Sequence, residues 1–219
     1  RAGADYAKLQ TFIPSEMVRK DSKHYKYINK CELNIKDYQD LKKFAIKQKI
    51  KLISTAFDIE SVKLLKKLKL STIKVASMDI DNFYLFEEIN KRNWEVILST
   101  GMSSFEEIKN AYNFLSKSNK VTLLHCISKY PTKIEDTNLH LINKLKKISK
   151  GNIGFSDHTK GNEASQLSVI VYGCKFIEKH FTSDNKLPGA DNKMSLNPKK
   201  FKKFVENIRN CEKIIYQKK

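Results

Sequence analysis

The chain has 219 residues, 40% of them hydrophobic, with 42 Lys+Arg against 24 Asp+Glu for a formal charge of +18. That length suffices for one sizeable core, the apolar runs fall far short of the roughly 20 residues a membrane-spanning helix needs, and four scattered cysteines without a CxxC pair exclude a zinc cluster or disulfide framework. The positive charge is nearly all lysine, arginine occurring only at Arg1, Arg19, Arg92 and Arg209. Base- and phosphate-reading surfaces lean on arginine, so the composition argues for a solvated lysine surface and against nucleic acid or membrane as partner. No Gly/Ser-rich or Pro-rich linker and no signal-peptide layout is visible, which predicts a single cytoplasmic domain.

Runs rich in apolar and β-branched residues at 6–12, 51–57, 72–77, 95–100, 121–126, 152–157 and 174–182 predict strands buried on both faces. Between them, apolar residues recur at helical spacing, for example Leu41, Phe44 and Ala45, then Ile108, Ala111, Tyr112 and Leu115. Helix starts are signalled by Ser103 or Ser104 ahead of Glu106 and Glu107, and by Asn197 before Pro198. Strands alternating with helices imply βαβ units and a parallel sheet. Seven such strands suit a doubly wound open sheet, and equally a TIM-type (β/α)8 barrel with its first strand missing from the chain. The barrel is preferred because nearly every run ends in Gln, Thr, Ser, His or Asp, at the edge where a barrel builds its active site.

Along the run at 152–157, alternation puts Ser156 and His158 on one face and Phe155 on the other. In the next run Phe176, Glu178, His180 and Thr182 share a face. Two histidines therefore end neighbouring strands whose backbones lie about 4.8 Å apart. Paired imidazoles suit a divalent transition metal such as manganese, cobalt or zinc, with Glu178 and Asp157 as candidate oxygens beside it. Lysines inside strands are a second anomaly. Lys8 with Gln10, and Lys74 with Ala76, share faces of otherwise apolar runs, and a buried ammonium needs an anion. Hydroxyls of Thr55, Ser77 and Thr100 would help hold a small phosphate- and carboxylate-bearing substrate. Lys175 and Lys179, on the opposite parity to His180, are expected to snorkel to solvent. The Tyr130–Pro131 step disfavours helix and predicts an ordered loop. Pro188–Gly189 marks a turn that presents Asp191 as an acceptor.

The ordered motifs AKLQTF, STAFD, KVAS, LSTGMSS, LLHC, YPT, GFSDHT, FIEKHFT and LPGADNKMSLNP resemble those of the bacterial N-acetylneuraminate (sialic acid) synthase family, which includes legionaminic and pseudaminic acid synthases. The resemblance runs over nearly the whole chain. It implies a TIM-type barrel that condenses phosphoenolpyruvate with N-acetylmannosamine or a related amino sugar and releases phosphate, commonly with manganese and usually as a homodimer. By position, His158 and His180 resemble the metal ligands. Lys8, Thr55, Lys74, Ser77 and Ser156 resemble phosphoenolpyruvate contacts, and Gln10, Tyr130 and Asp191 sugar contacts. Ser128 occupies a phosphate-contact position where relatives often carry asparagine, and Asp79 a sugar-contact position where some carry glutamate. The resemblance makes Lys8, Gln10, Lys74, Tyr130, Glu178 and Asp191 the candidate catalytic group. It also implies that the family's first strand and its small antifreeze-like C-terminal domain lie outside this chain. Two other readings fit the sequence: a deoxy-sugar-acid synthase acting on a sugar phosphate, and a non-catalytic basic binding protein.

Overall fold

The computed structural model describes residues 2–189 and 191–215. The elements are β1 (Tyr6–Thr11), α1 (Pro14–Met17), α2 (Tyr25–Lys30), α3 (Ile35–Lys47), β2 (Lys51–Ala56), α4 (Ile59–Lys67), β3 (Thr72–Val75), α5 (Phe83–Asn90), β4 (Glu95–Ser99), α6 (Phe105–Leu115), β5 (Lys120–Cys126), α7 (Ile142–Ile148), β6 (Ile153–Asp157), α8 (Glu163–Ile170), β7 (Phe176–Lys179) and α9 (Pro198–Ile215). Strand order follows the chain from β1 to β7. The β1–β2, β2–β3, β3–β4, β5–β6 and β6–β7 pairs are all parallel, as alternating strands and helices require. No helix among the described residues is long and apolar enough to cross a membrane.

The chain divides into two compact units. An N-terminal unit holds Asp5–Leu98 and Glu106–Val121; a C-terminal unit holds Ser99–Phe105 and everything from Thr122 onward, with the first few residues of the chain.

In the N-terminal unit, β3 is buried at every position and β2 from Ile53 onward. Their apolar side chains Ile53, Ile73 and Val75 are buried, as are Val62 and Leu65 of α4 and Leu85, Phe86 and Ile89 of α5. Local chemistry places the helices: Asn34 and Asp37 form a reciprocal capping box at the start of α3. Asp58 caps α4 through Ser61 N at 2.7 Å while its other oxygen accepts Ile13 N at 2.8 Å, tying the chain after β1 to the end of β2. β1 departs from the expectation of burial on both faces. It pairs with β2 along one edge, and its Lys8 and Gln10 are exposed.

In the C-terminal unit, Leu123 and Leu124 of β5 and Ile153 and Phe155 of β6 are buried. A second cluster, Val169 with Leu196, Phe204, Val205, Ile208 and Cys211, joins α8 to α9, and Ile177 of β7 packs against it. Asn197 caps α9 as the Asn-Pro signal predicts, its side chain accepting Lys200 N at 3.1 Å. The strand predicted at 174–182 is shorter than expected: past Lys179 only an isolated bridge links Phe181 to Leu196.

One glycine is required by packing. A Cβ at Gly154 of β6 would lie 2.3 Å from the Phe176 carbonyl oxygen and 2.5 Å from Leu124 Cδ2, so both neighbouring strands leave it no room. Gly154→Ala is expected to lower stability by about 1–3 kcal/mol, the range for overpacking a core, read as a reduced urea midpoint with an unchanged slope.

Candidate active site

In the N-terminal unit the predicted polar residues fall into one ladder. Gln10 pairs with Thr55 and Thr55 with Lys74, so the three side chains stand abreast on one face of β1, β2 and β3. Thr55 and Lys74 are buried, the lysine only 3% exposed, and Lys74 Nζ donates to the Val75 carbonyl at 3.1 Å. This is the buried strand ammonium that the sequence predicts. Lys8 corrects the parallel expectation: it sits at an exposed position because β1 is paired on one edge and its long stem reaches water without cost. Gln10 is also exposed, its carbonyl accepting the Tyr38 hydroxyl at 3.3 Å. Thr100, in the other unit, spends its hydroxyl on the Leu124 carbonyl at 3.0 Å, where the sequence suggested a substrate donor.

Past β3 a 3-10 turn carries Ser77, half-buried, and Asp79, buried. Asn82 donates to Asp79 Oδ1 at 3.3 Å, whereas Oδ2 is buried with no hydrogen-bond partner among the described residues. Burial pushes this carboxyl above its ordinary range. Asp79 lines a cleft of about 430 Å³ together with Ile13, Phe57, Asp58, Met78 and Tyr84, which suits the acceptor role expected of it.

In the C-terminal unit, β6 and β7 pair with Ser156 beside Glu178 and Asp157 beside Lys179. Ser156 Oγ donates to Glu178 Oε1 at 2.6 Å. One step further, the His158 and His180 rings lie 5.3 Å apart, and the half-exposed Tyr130 ring packs 4.2 Å from His158 and 5.5 Å from His180. The loop carrying Tyr130 is held there by Thr132, whose N–H donates to the His158 carbonyl at 2.9 Å and whose hydroxyl donates to Lys129 O at 2.8 Å. His180 Nδ1 is 3.5 Å from Asp191 Oδ2, so the Asp191 acceptor is directed at an imidazole of its own unit. The Tyr130 hydroxyl is pushed up to about 12, first by desolvation and then by the charges of Cys126, Asp191 and Glu178. Ser128 lies half-buried in the loop after β5.

The tautomer of His158 follows from its partners. Its Nδ1 is 2.7 Å from the Ile127 carbonyl, which can only accept, so Nδ1 carries the proton. Burial holds the ring below its ordinary range, outweighing that hydrogen bond, and nearby His180 adds to the depression. A neutral ring protonated at Nδ1 presents its lone pair at Nε2. Ser156 Oγ lies 3.3 Å from Nε2, yet its proton is committed to Glu178. This is the state a metal-ligating histidine adopts, with the second nitrogen anchored on a carbonyl. Among the described residues no group of three or more His, Cys, Asp or Glu is arranged to hold a metal ion; the protein offers two imidazoles, and further ligands would be water or substrate.

Two expectations are corrected on the opposite face. Lys179, read as snorkelling, has a side chain only 2% exposed and pairs with the fully buried Asp157 at 2.9 Å. Asp157, read as a possible metal oxygen, is spent on that lysine, on Ser165 Oγ at 2.5 Å and on Thr159 N at 2.8 Å. The signal was present in the alternation, since Asp157 and Lys179 share the parity that Ser156, His158 and His180 avoid.

A model of the NeuB family matches residues 1–219. The chain belongs to this family of sialic acid synthases. It is 36% identical to the N,N'-diacetyllegionaminic acid synthase of Campylobacter jejuni, over 97% of this chain and 69% of that protein. It is 40% identical to an uncharacterized protein of Methanocaldococcus jannaschii, over 98% of this chain and 64% of that protein. Among solved structures, the N-acetylneuraminic acid synthetase of Leptospira borgpetersenii in complex with citrate superposes with a TM-score of 0.93 at 34% identity, covering all of this chain and 76% of the other. The chain thus spans about two thirds of the length of the curated relatives.

The buried histidines set a pH dependence. His125, stacked on Phe155 with Nε2 2.8 Å from Thr137 O, is held below its ordinary range by burial, as is His158. The unfolded chain, with histidines near 6.5, takes up protons first. Stability is therefore expected to be complete above pH 6.5 and to fall as pH drops through that value. His125→Gln, which keeps a donor for Thr137, should flatten the slope in a series of urea unfolding curves from pH 7.5 to 5.

Proposed function

We propose that the chain condenses phosphoenolpyruvate with an amino sugar of the N-acetylmannosamine type, giving a sialic-acid-type nonulosonic acid and phosphate on a (β/α)8-barrel scaffold. Family membership supports the reaction class, and the observation that carries the residue assignment is His158 held neutral by burial and in its Nδ1–H tautomer by Ile127, with its Nε2 lone pair presented beside His180. These two imidazoles would hold a divalent metal, most readily Mn2+. When bound, that ion supplies Lewis-acid polarisation of the open-chain sugar aldehyde.

The protein's own groups position and neutralise. Lys74, buried in the Gln10–Thr55–Lys74 ladder, offers its ammonium to the phosphate or carboxylate of phosphoenolpyruvate, and Thr55 and Ser77 add hydroxyl donors. Lys8, exposed on β1, is assigned to the same anion. Asp79, which lines the cleft, is assigned to accept from a sugar hydroxyl, a task Gln10 shares. In the C-terminal unit, Tyr130 covers the imidazoles, Asp191 orients His180, and Glu178 with Ser156 forms the adjoining hydrogen-bonding pair. In the reaction the enol carbon attacks the aldehyde carbon, water adds at the resulting cationic centre, and phosphate leaves by carbon–oxygen cleavage. Holding the reactants in register accounts for several kcal/mol of barrier lowering.

Phosphate release from phosphoenolpyruvate and each candidate amino sugar is the direct test. Chelation is expected to abolish it and manganese to restore it best, and His158→Ala and His180→Ala each to remove most activity, His180→Ala, at a partly exposed position, with nearly unchanged stability. Full turnover after exhaustive chelation would end the metal assignment. Lys74→Met should raise KM for phosphoenolpyruvate about 10- to 100-fold, as expected for a lost charge-assisted hydrogen bond, and leave KM for the sugar nearly unchanged; equal effects on both would mark a folding defect.

A further inference from the structure

We propose that the buried Lys179–Asp157 pair is the positioning element of the candidate metal site, fixing how β6 and β7 present His158 and His180. The inference rests on the metal assignment above but concerns residues that would touch neither metal nor substrate.

The pair is complete to a degree that packing does not require. Lys179 Nζ donates to Asp157 Oδ2 at 2.9 Å, to Thr159 O at 2.6 Å and to Gly161 O at 2.8 Å. Asp157 in turn accepts Ser165 Oγ and Thr159 N. Beside it Phe204 presents its ring 5.8 Å from Nζ, and Ile177, two residues before Lys179 on the same face of β7, packs into the α8–α9 cluster. Apolar side chains of similar volume usually replace a buried ion pair without loss of stability, so a pair kept among Phe204 and Ile177 points to what it constrains.

What it constrains is visible in the register. Asp157 and Lys179 are Cα partners on one face, and their chain neighbours Ser156, His158, Glu178 and His180 stand on the other. A one-residue slip of β7 on β6 would carry Lys179 to the imidazole face and His180 into the apolar cluster. Beyond β6 the strand ladder ends, and there Lys179 clamps the carbonyls of Thr159 and Gly161, on either side of Lys160 and immediately after His158. The same ammonium therefore holds the strand that carries one imidazole and the turn that follows the other. Ser165, at 0% exposure on α8, ties the carboxylate to the helix behind.

The test compares the protein with Asp157→Asn/Lys179→Met, which removes both charges together, with Ser165→Ala, and with Val205→Ala as a control that weakens the α8–α9 core alone. Two quantities are read: Mn2+ affinity by titration calorimetry, and the imidazole 15N spectrum of the metal-free protein, which reports the Nδ1–H tautomer of His158. In the folded double variant Mn2+ affinity should fall about 10-fold or more, the usual loss when support behind a ligand is removed, and the single-tautomer signature should give way to a mixture. Ser165→Ala should move both in the same direction by less, and it decides the question if the double variant does not fold. Val205→Ala should lower Tm and move neither. Unchanged affinity and tautomer in either supporting variant, or equal changes in Val205→Ala, would overturn the proposal. Were the unaltered protein to bind no Mn2+, the metal assignment would fail, and the nitrogen spectra alone would decide the positioning claim.

Discussion

The candidate site depends above all on the in-register parallel pairing of neighbouring strands. Because side chains alternate, a parallel register puts one set of partners on the chemical face and the next set on the packed face. Ser156 with Glu178 and Asp157 with Lys179 are successive rungs of one ladder, yet the first pair meets the two histidines and the second meets α8 and α9. In the N-terminal unit the same rule lines up Gln10, Thr55 and Lys74. Neither arrangement needs a long loop or an inserted element; both follow from the pleat.

Burial then gives these groups their chemistry. A lysine at a strand centre keeps its ammonium only where carbonyls or anions answer it, and Lys74 and Lys179 find different answers. Lys179 is matched by a carboxylate and two carbonyls inside its own unit, which makes it a fastening. Lys74 stands abreast of Gln10 and Thr55 and donates to the Val75 carbonyl of its own strand. Likewise His125 and His158 are both buried and both depressed, but His125 spends Nε2 on Thr137 and stacks on Phe155, whereas His158 spends Nδ1 on Ile127 and has Ser156 Oγ 3.3 Å from Nε2.

Membership in a family of sialic acid synthases narrows the chemistry that these residues serve without deciding the sugar. The cleft around Asp79 is lined by Ile13, Phe57, Met78 and Tyr84 together with Glu16, Asp58, Glu60 and Asn82. In a cleft of this mixed lining a buried polar acceptor left unanswered costs more than a poorly filled apolar surface.

Much was legible in the chain itself. The alternation of apolar runs with helical spacing gave seven strands and the helices between them, and the Asn197–Pro198 cap marked the start of α9, because these signals are local. Parity along β6 and β7 put Ser156 with His158 and Glu178 with His180 before any contact was known. The motifs located Lys74, Thr55 and Asp79, all of which are buried. The exposure of Lys8 was not legible, since whether a strand lysine is covered depends on what lies beside its strand. The fates of Lys179 and Asp157 were likewise decided by tertiary structure: one reads as a solvent-seeking cation and the other as a metal oxygen until a distant residue in the chain is seen to be a near one in space. Pattern states which face a side chain takes, and only packing states what waits for it there.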